Sequence, residues 1–119
     1  MERAAQAGER LRQGLREATA HLDVVGDVRG RGLAIGVDLV TDRAGCRRDP
    51  ALAARTVYRV WELGGVVVSY VGGNVLEVTP PLVLTEAEAV RAADILGTAI
   101  ADAAAGKVDD EEVAKYAGW

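Results

Sequence analysis

Few residues of this 119-residue chain could carry covalent or acid–base chemistry. Lysine occurs twice, as Lys107 and Lys115, both in the acidic stretch near the C-terminus. A lysine that forms a Schiff base has to be buried, often with a shifted pKa, and neither position offers that setting. His21 is the sole histidine; it closes an expected helix, where a cation complements the dipole, so it reads as a solvated or capping residue. Cys46 sits between Gly45 and Arg47 in a polar stretch. Nearby arginines favour its thiolate, but no base accompanies it, and it reads as a surface thiol. One histidine and one cysteine far apart cannot assemble the several ligands a zinc site needs. The spacing Gly30-x-Gly32-x-x-x-Gly36 imitates a phosphate loop, yet such glycines must lie between a strand and a helix N-terminus, and here they lead into a strand pattern. The residues themselves therefore suggest no catalytic, cofactor-binding or metal-binding group.

Composition narrows the classes further. Half of the residues are hydrophobic, mostly Ala, Val and Leu with no Phe, and 27% are charged, as in a soluble domain with one thin core. The net charge of −4 arises from 14 basic and 18 acidic residues, and Asp109, Asp110, Glu111 and Glu112 supply four of the acids consecutively. Without a basic patch interleaved with aromatics, neither nucleic acid nor an anionic membrane surface is an expected partner. No apolar run approaches the roughly 20 residues of a membrane span. The polar N-terminus is unlike a signal peptide, and a single cysteine suits a reducing cytoplasm.

Periodicity gives the elements that would position any site. Residues 2–22 form an amphipathic helix weakened by Gly8 and Gly14, and strands follow at Val24–Val28 and Leu33–Val40, with a turn or bulge at Arg29–Gly32. Thr41–Asp49 is an exposed loop. Asp49-Pro50 caps a helix over Ala51–Leu63 whose inner stripe is Ala53, Val57 and Val60 or Trp61, ended by Gly64-Gly65. Val66–Tyr70 and Val75–Thr79 flank a Gly72-Gly73-Asn74 turn as a hairpin, stopped by Pro80-Pro81. Thr85 and Glu88 make a capping box for a last helix, with Ala89, Ala93, Leu96, Ile100 and Ala103 inward and Gly106 as its stop. The order is αββαββα: an α/β (α+β) two-layer fold with a small mixed or antiparallel sheet covered by helices. Residues 1–106 form the domain and 107–119 an acidic C-terminal tail.

Three segments in register resemble the C-terminal part of class-III aminotransferases, the family of ornithine, acetylornithine and 4-aminobutyrate aminotransferases. Val24-Val25-Gly26-Asp27-Val28-Arg29-Gly30-Arg31-Gly32-Leu33 through Leu39 is similar to the family's VRGxGLxxGxEL strand pair. Trp61–Val68 is similar to its ERGVLV turn, and Gly73–Thr85 to its GNVLRxTPPLxxT segment. Together they cover about residues 2–105.

The resemblance implies the small C-terminal domain of a fold-type-I enzyme that uses pyridoxal phosphate. A missing N-terminal large domain would carry the cofactor and its lysine, and the whole would act as a homodimer or larger assembly in the cytoplasm. It would move an amino group from an amine or amino acid to a 2-oxo acid. This part would close the active site, bind no cofactor alone, be inactive alone, and self-associate through apolar faces left uncovered. At the position where many family members hold a substrate carboxylate with an arginine, this chain has Glu77. If Glu77 faces the pocket it would receive an ammonium or hydroxyl, implying an amine or diamine donor, or an amino acid held by an arginine elsewhere. If not, it points to solvent or pairs with an arginine of the domain. Arg29 and Arg31 read as loop cations near Asp27 and Asp38, with a place lining the domain boundary as the other reading. The alternative from another class is a free-standing, non-catalytic α/β interaction or ligand-sensing module.

Overall fold

A computed structural model describes residues 2–31, 34–63, 68–71, 73–78, 85–109, 111 and 113. Its elements run α1 (Glu2–Thr19), β1 (Val25–Arg31), β2 (Ala34–Leu39), α2 (Pro50–Leu63), β3 (Val68–Val71), β4 (Val75–Val78) and α3 (Glu86–Ala104). The expected αββαββα order is thus present. The four strands form one sheet in the order β1-β2-β4-β3, and every neighbouring pair is antiparallel. Two hairpins therefore lie side by side, joined through β2 and β4.

Alternation decides which face the helices cover. In β2, Ile35, Val37 and Leu39 are buried and their neighbours are not, and in β4 Leu76 and Val78 are buried whereas Glu77 is exposed. These side chains join one core with Ala7, Leu11 and Leu15 of α1, Leu52, Ala53 and Val60 of α2, and Ala89, Leu96 and Ile100 of α3. Strand β1 breaks strict alternation. Val25 lies opposite Leu39 while Asp27 lies opposite Asp38, so Gly26 is the extra residue of a bulge, and Val25 and Val28 both turn inward. The irregularity falls at Gly26, upstream of the Arg29–Gly32 segment. Gly30 lies within the strand opposite Ile35, at φ 152°, with the carbonyl oxygen of Ala34 only 2.0 Å from where a Cβ would sit. Gly32 and Leu33 fall outside the described residues.

The caps follow the sequence closely. Asp49 accepts from the amide of Leu52 at 3.1 Å ahead of Pro50. Thr85 accepts from the amide of Glu88 at 3.1 Å, and Glu88 returns the contact to the amide of Thr85 at 3.3 Å. At the other end of α3, Gly106 takes φ 78° while its amide bonds Ala103 and that of Lys107 bonds Asp102 at 2.9 Å, the paired closure of a Schellman turn. Helix α1 ends at Thr19, three residues short of the expected limit, because the amide of Leu22 turns back to the carbonyl of Thr19 at 2.9 Å. In α2 the inner stripe is Leu52, Ala53, Thr56 and Val60. Trp61 does not belong to it: it is 68% exposed and lies against Tyr58, ring centroids 5.9 Å apart. One residue beyond Val60, a helix has turned by about 100°, away from the core. Gly64-Gly65 and Pro80-Pro81 lie outside the described residues. Val108, in the expected tail, is buried against the core.

Helix α3 packs against both α1 and α2. On the α1 side the approach is set by glycine: a Cβ on Gly14 would stand 2.9 Å from that of Ala93, and one on Gly97 2.9 Å from that of Ala18. Gly14 thus weakens α1 as an isolated helix but is what lets it meet α3. On the α2 side, Arg59 donates to Asp102 at 3.0 Å. This hydrogen bond, ahead of the charge attraction, holds the Arg59 guanidinium above its ordinary pKa.

The glycine contact gives a sharp test. Gly97→Ala gains about 1 kcal/mol of helix propensity but forces an overpacking cost of about 1–3 kcal/mol against Ala18, which has no rotamer to yield. A net loss of stability is expected in urea denaturation; a gain would mean that α1 and α3 do not meet this closely.

Candidate functional site

The second face of the sheet is where polar side chains gather. Register places Arg29, Gly36 and Glu77 in one row across β1, β2 and β4, and Asp27, Asp38 and Val75 in the next. Asp27 and Asp38 are direct cross-strand partners, an arrangement of like charges that costs stability if left uncompensated. Arg29 supplies the compensation. Its guanidinium hydrogen-bonds both carboxylate oxygens of Asp38, through Nη1 to Oδ2 and at 3.3 Å through Nη2 to Oδ1, and lies 3.6 Å from Asp27. Hydrogen bonding to Asp38 first, and its charge second, hold the Arg29 guanidinium above its ordinary pKa. Arg29 is therefore a strand residue near Asp27 and Asp38. The Arg31 side chain lies outside the described ones.

Glu77 stands alone by comparison. It is exposed, its strand neighbours are Gly36 and Ser69, and it makes no hydrogen bond or ion pair among the described residues. The signal for its orientation was the alternation of Val75–Val78: with Leu76 and Val78 in the core, Glu77 has to point the other way. Gly36, having no side chain, leaves the surface beside it low, and a Cβ there would meet Val75 at 3.5 Å and Arg29 at 4.0 Å.

The remaining chemistry-bearing residues lie apart from this face. His21 is exposed beyond α1, and the cation at that helix end is Arg43, donating to the carbonyls of Thr19 at 3.2 Å and Val25 at 3.0 Å. Sequence reasoning missed this contact, which spans distant positions. Cys46 is exposed at φ 51° in the loop after β2, its thiol donating to the carbonyl of Arg43 at 3.0 Å. Lys107 is mostly exposed and lies 3.9 Å from Asp102; Lys115 lies outside the described residues. Two shallow clefts, of about 240 and 270 Å³, lie at the α1–β1 junction and between α1 and α3, and neither includes Glu77. The described residues hold no group of three His, Cys, Asp or Glu placed for a metal, and none of their helices is long and apolar enough to cross a membrane.

The exposed large apolar side chains among the described residues are Trp61, Leu63 and Val90, all on helices. Among the described side chains of the open sheet face, Asp27, Arg29, Asp38 and Glu77 are polar and Val75 is apolar.

Residues 1–100 match the family model for class-III aminotransferases. The chain belongs to the class-III aminotransferase family. It is 40% identical over 114 residues to an alanine/serine racemase of Pyrococcus horikoshii, covering 95% of this chain and 24% of that protein. A leucine/methionine racemase of Thermococcus litoralis is 39% identical over 119 residues, covering 100% of this chain and 27% of that protein. An aminotransferase of Bacillus anthracis superposes with a TM-score of 0.78 at 33% identity, covering 84% of this chain and 24% of that structure. The chain thus spans about a quarter of the length of these relatives.

An exposed carboxylate without partners has little to do with holding the sheet together. Glu77→Gln is expected to change stability by less than about 0.5 kcal/mol. A loss above about 1 kcal/mol in urea denaturation would reveal a structural role and remove Glu77 from the candidate site.

Proposed function

We propose that this chain is the small domain of a pyridoxal-phosphate enzyme whose preceding large domain carries the cofactor and its lysine, and that the whole transfers an amino group from an amine or amino acid to a 2-oxo acid. The observation that carries the reading is the family match over residues 1–100 in a chain a quarter the length of its relatives. The lysine among the described residues, Lys107, is mostly exposed beside Asp102 and does not offer the buried setting that a cofactor Schiff base needs. No chemical step is therefore assigned to this chain. Its part is to close over the active site as a lid, exclude water and position substrate. Alone it is expected to be inactive and to hold no cofactor. Residues 1–106 act as this lid, and the segment 107–119 follows it, anchored to the core through Val108. The assembly is a homodimer or larger, in the cytoplasm.

Glu77 is the residue through which the lid meets substrate in this reading. Its carboxylate accepts hydrogen bonds from a donor's second ammonium or from a hydroxyl, and it repels a carboxylate at the same place. The favoured donors are amines, diamines, or amino acids whose carboxylate is held by an arginine elsewhere. A second reading has a specific basis, since the two curated relatives aligned over 95% and 100% of this chain are amino-acid racemases. Racemisation removes the α-proton and returns it to the opposite face of the same carbon, with no transfer of nitrogen.

The full-length protein separates the two. Incubated with one enantiomer of an amino acid, a racemase produces the other without a 2-oxo acid, whereas an aminotransferase consumes the 2-oxo acid and yields its amino counterpart. Glu77→Arg in that protein is expected to lower kcat/KM for diamine donors at least tenfold relative to donors bearing a carboxylate. An unchanged preference would take Glu77 out of the pocket.

A further inference from the structure

Among the described side chains of the open face are one arginine and three carboxylates, and only two of the carboxylates share the arginine. Arg29 and Glu77 lie on either side of Gly36 in the same row, on strands separated by β2. Their backbones are roughly 10 Å apart, twice the spacing of adjacent strands. No side chain on Gly36 stands between them, and an arginine and a glutamate extended toward each other can close such a gap. The arginine instead turns diagonally to Asp38, with Asp27 behind it.

We infer that Asp38, assisted by Asp27, is a positioning residue that holds Arg29 off Glu77 and so keeps the Glu77 carboxylate uncompensated. The significance for substrate choice rests on the reading that Glu77 meets substrate; the diversion of Arg29 does not. The contact is a forked, two-point pair, which fixes direction as well as distance. All four groups lie toward solvent, with Arg29 and Asp27 more than half exposed, so the pairing adds little stability and its consequence is geometric. Asp27 and Asp38 together outweigh Glu77 as partners because they face each other across the β1–β2 ladder, where a cation relieves their repulsion. An arginine free to choose goes where two carboxylates meet. A Glu77 left without a cation is what an ammonium ligand requires.

The test follows the side-chain carboxyl resonance of Glu77 in the 119-residue chain through a pH titration. In Asp27→Asn/Asp38→Asn the freed Arg29 is expected to reach Glu77 and lower its midpoint by about one pH unit, the low end for an opposite charge within 4–6 Å. Removing two negative charges also lowers the midpoint, so the deciding variant adds Arg29→Gln to the pair. Restoration of most of the fall in this triple variant supports the inference; a fall that persists without Arg29, or no fall in the double variant, overturns it. Amide spectra establish that each variant keeps the fold. Should the double variant lose it, the unsubstituted chain still decides: Arg29 guanidinium protons must show nuclear Overhauser contacts to the β-protons of Asp38 and none to the γ-protons of Glu77. Contacts to Glu77 would overturn the inference. Neither readout involves turnover, so the functional assignment of Glu77 can fail while this diversion stands, and the reverse.

Discussion

A four-stranded sheet that buries apolar side chains on one face only has to be covered on that face and left open on the other. Ile35, Val37 and Leu39 of β2, with Leu76 and Val78 of β4, impose this asymmetry, since neighbouring side chains along a strand point to opposite faces. A one-residue slip of β4 against β2 would drive Glu77 into the core and expose Leu76 and Val78, so the burial pattern also fixes register. The polar row of Arg29, Gly36 and Glu77 is then a consequence of core formation in a strand whose alternate positions were free to take other roles.

The helical layer answers the same demand with small side chains. Ala93 opposite Gly14, and Ala18 opposite Gly97, allow α1 and α3 to approach closely, which suits a core built from alanine, valine and leucine without phenylalanine. Helix α1 also serves the sheet edge. Arg12 donates to the carbonyl of Gly30 and Arg16 to that of Val28 at 3.3 Å, while Arg43 takes the carbonyl of Val25. Three guanidinium groups thus satisfy outward carbonyls of the edge strand β1, a polar means of closing an edge that would otherwise invite another strand. In the turn that precedes β4, buried Asn74 accepts from the backbone amide of Leu39 at 2.9 Å and donates its side-chain amide to the Leu39 carbonyl at 3.2 Å, tying the start of β4 to the end of β2. Loss of that side chain would leave the Leu39 carbonyl with the amide of Asp49 as its other partner.

Much of this was legible locally. Asp49-Pro50, Thr85 with Glu88, and Gly106 act within one turn of chain, and each does what its residue type favours. The alternation of Ile35, Val37 and Leu39 in β2 agrees with their burial, while Leu33 lies outside the described residues. Where reasoning fell short, the deciding contact was distant or irregular. The bulge at Gly26 shifts the phase of β1 by one residue, which no strict period of two can register. Trp61 is apolar and adjacent to Val60, but the helix layer ends before reaching it. An amphipathic period assigns arginines to the polar side of α1, and only the fold brings Arg12 and Arg16 to the β1 edge. For Glu77 the residue type raised the question of function, and the strand period already carried its direction.

If this chain closes on a large domain as proposed, the sheet face bearing Glu77 turns toward that domain. Carbodiimide footprinting of carboxylates measures this directly, comparing the 119-residue chain with the full-length protein. The account predicts rapid labelling of Glu77 in the chain and at least tenfold protection in the full-length protein, with exposed Glu86 labelled equally in both. Equal labelling of Glu77 in the two would contradict it.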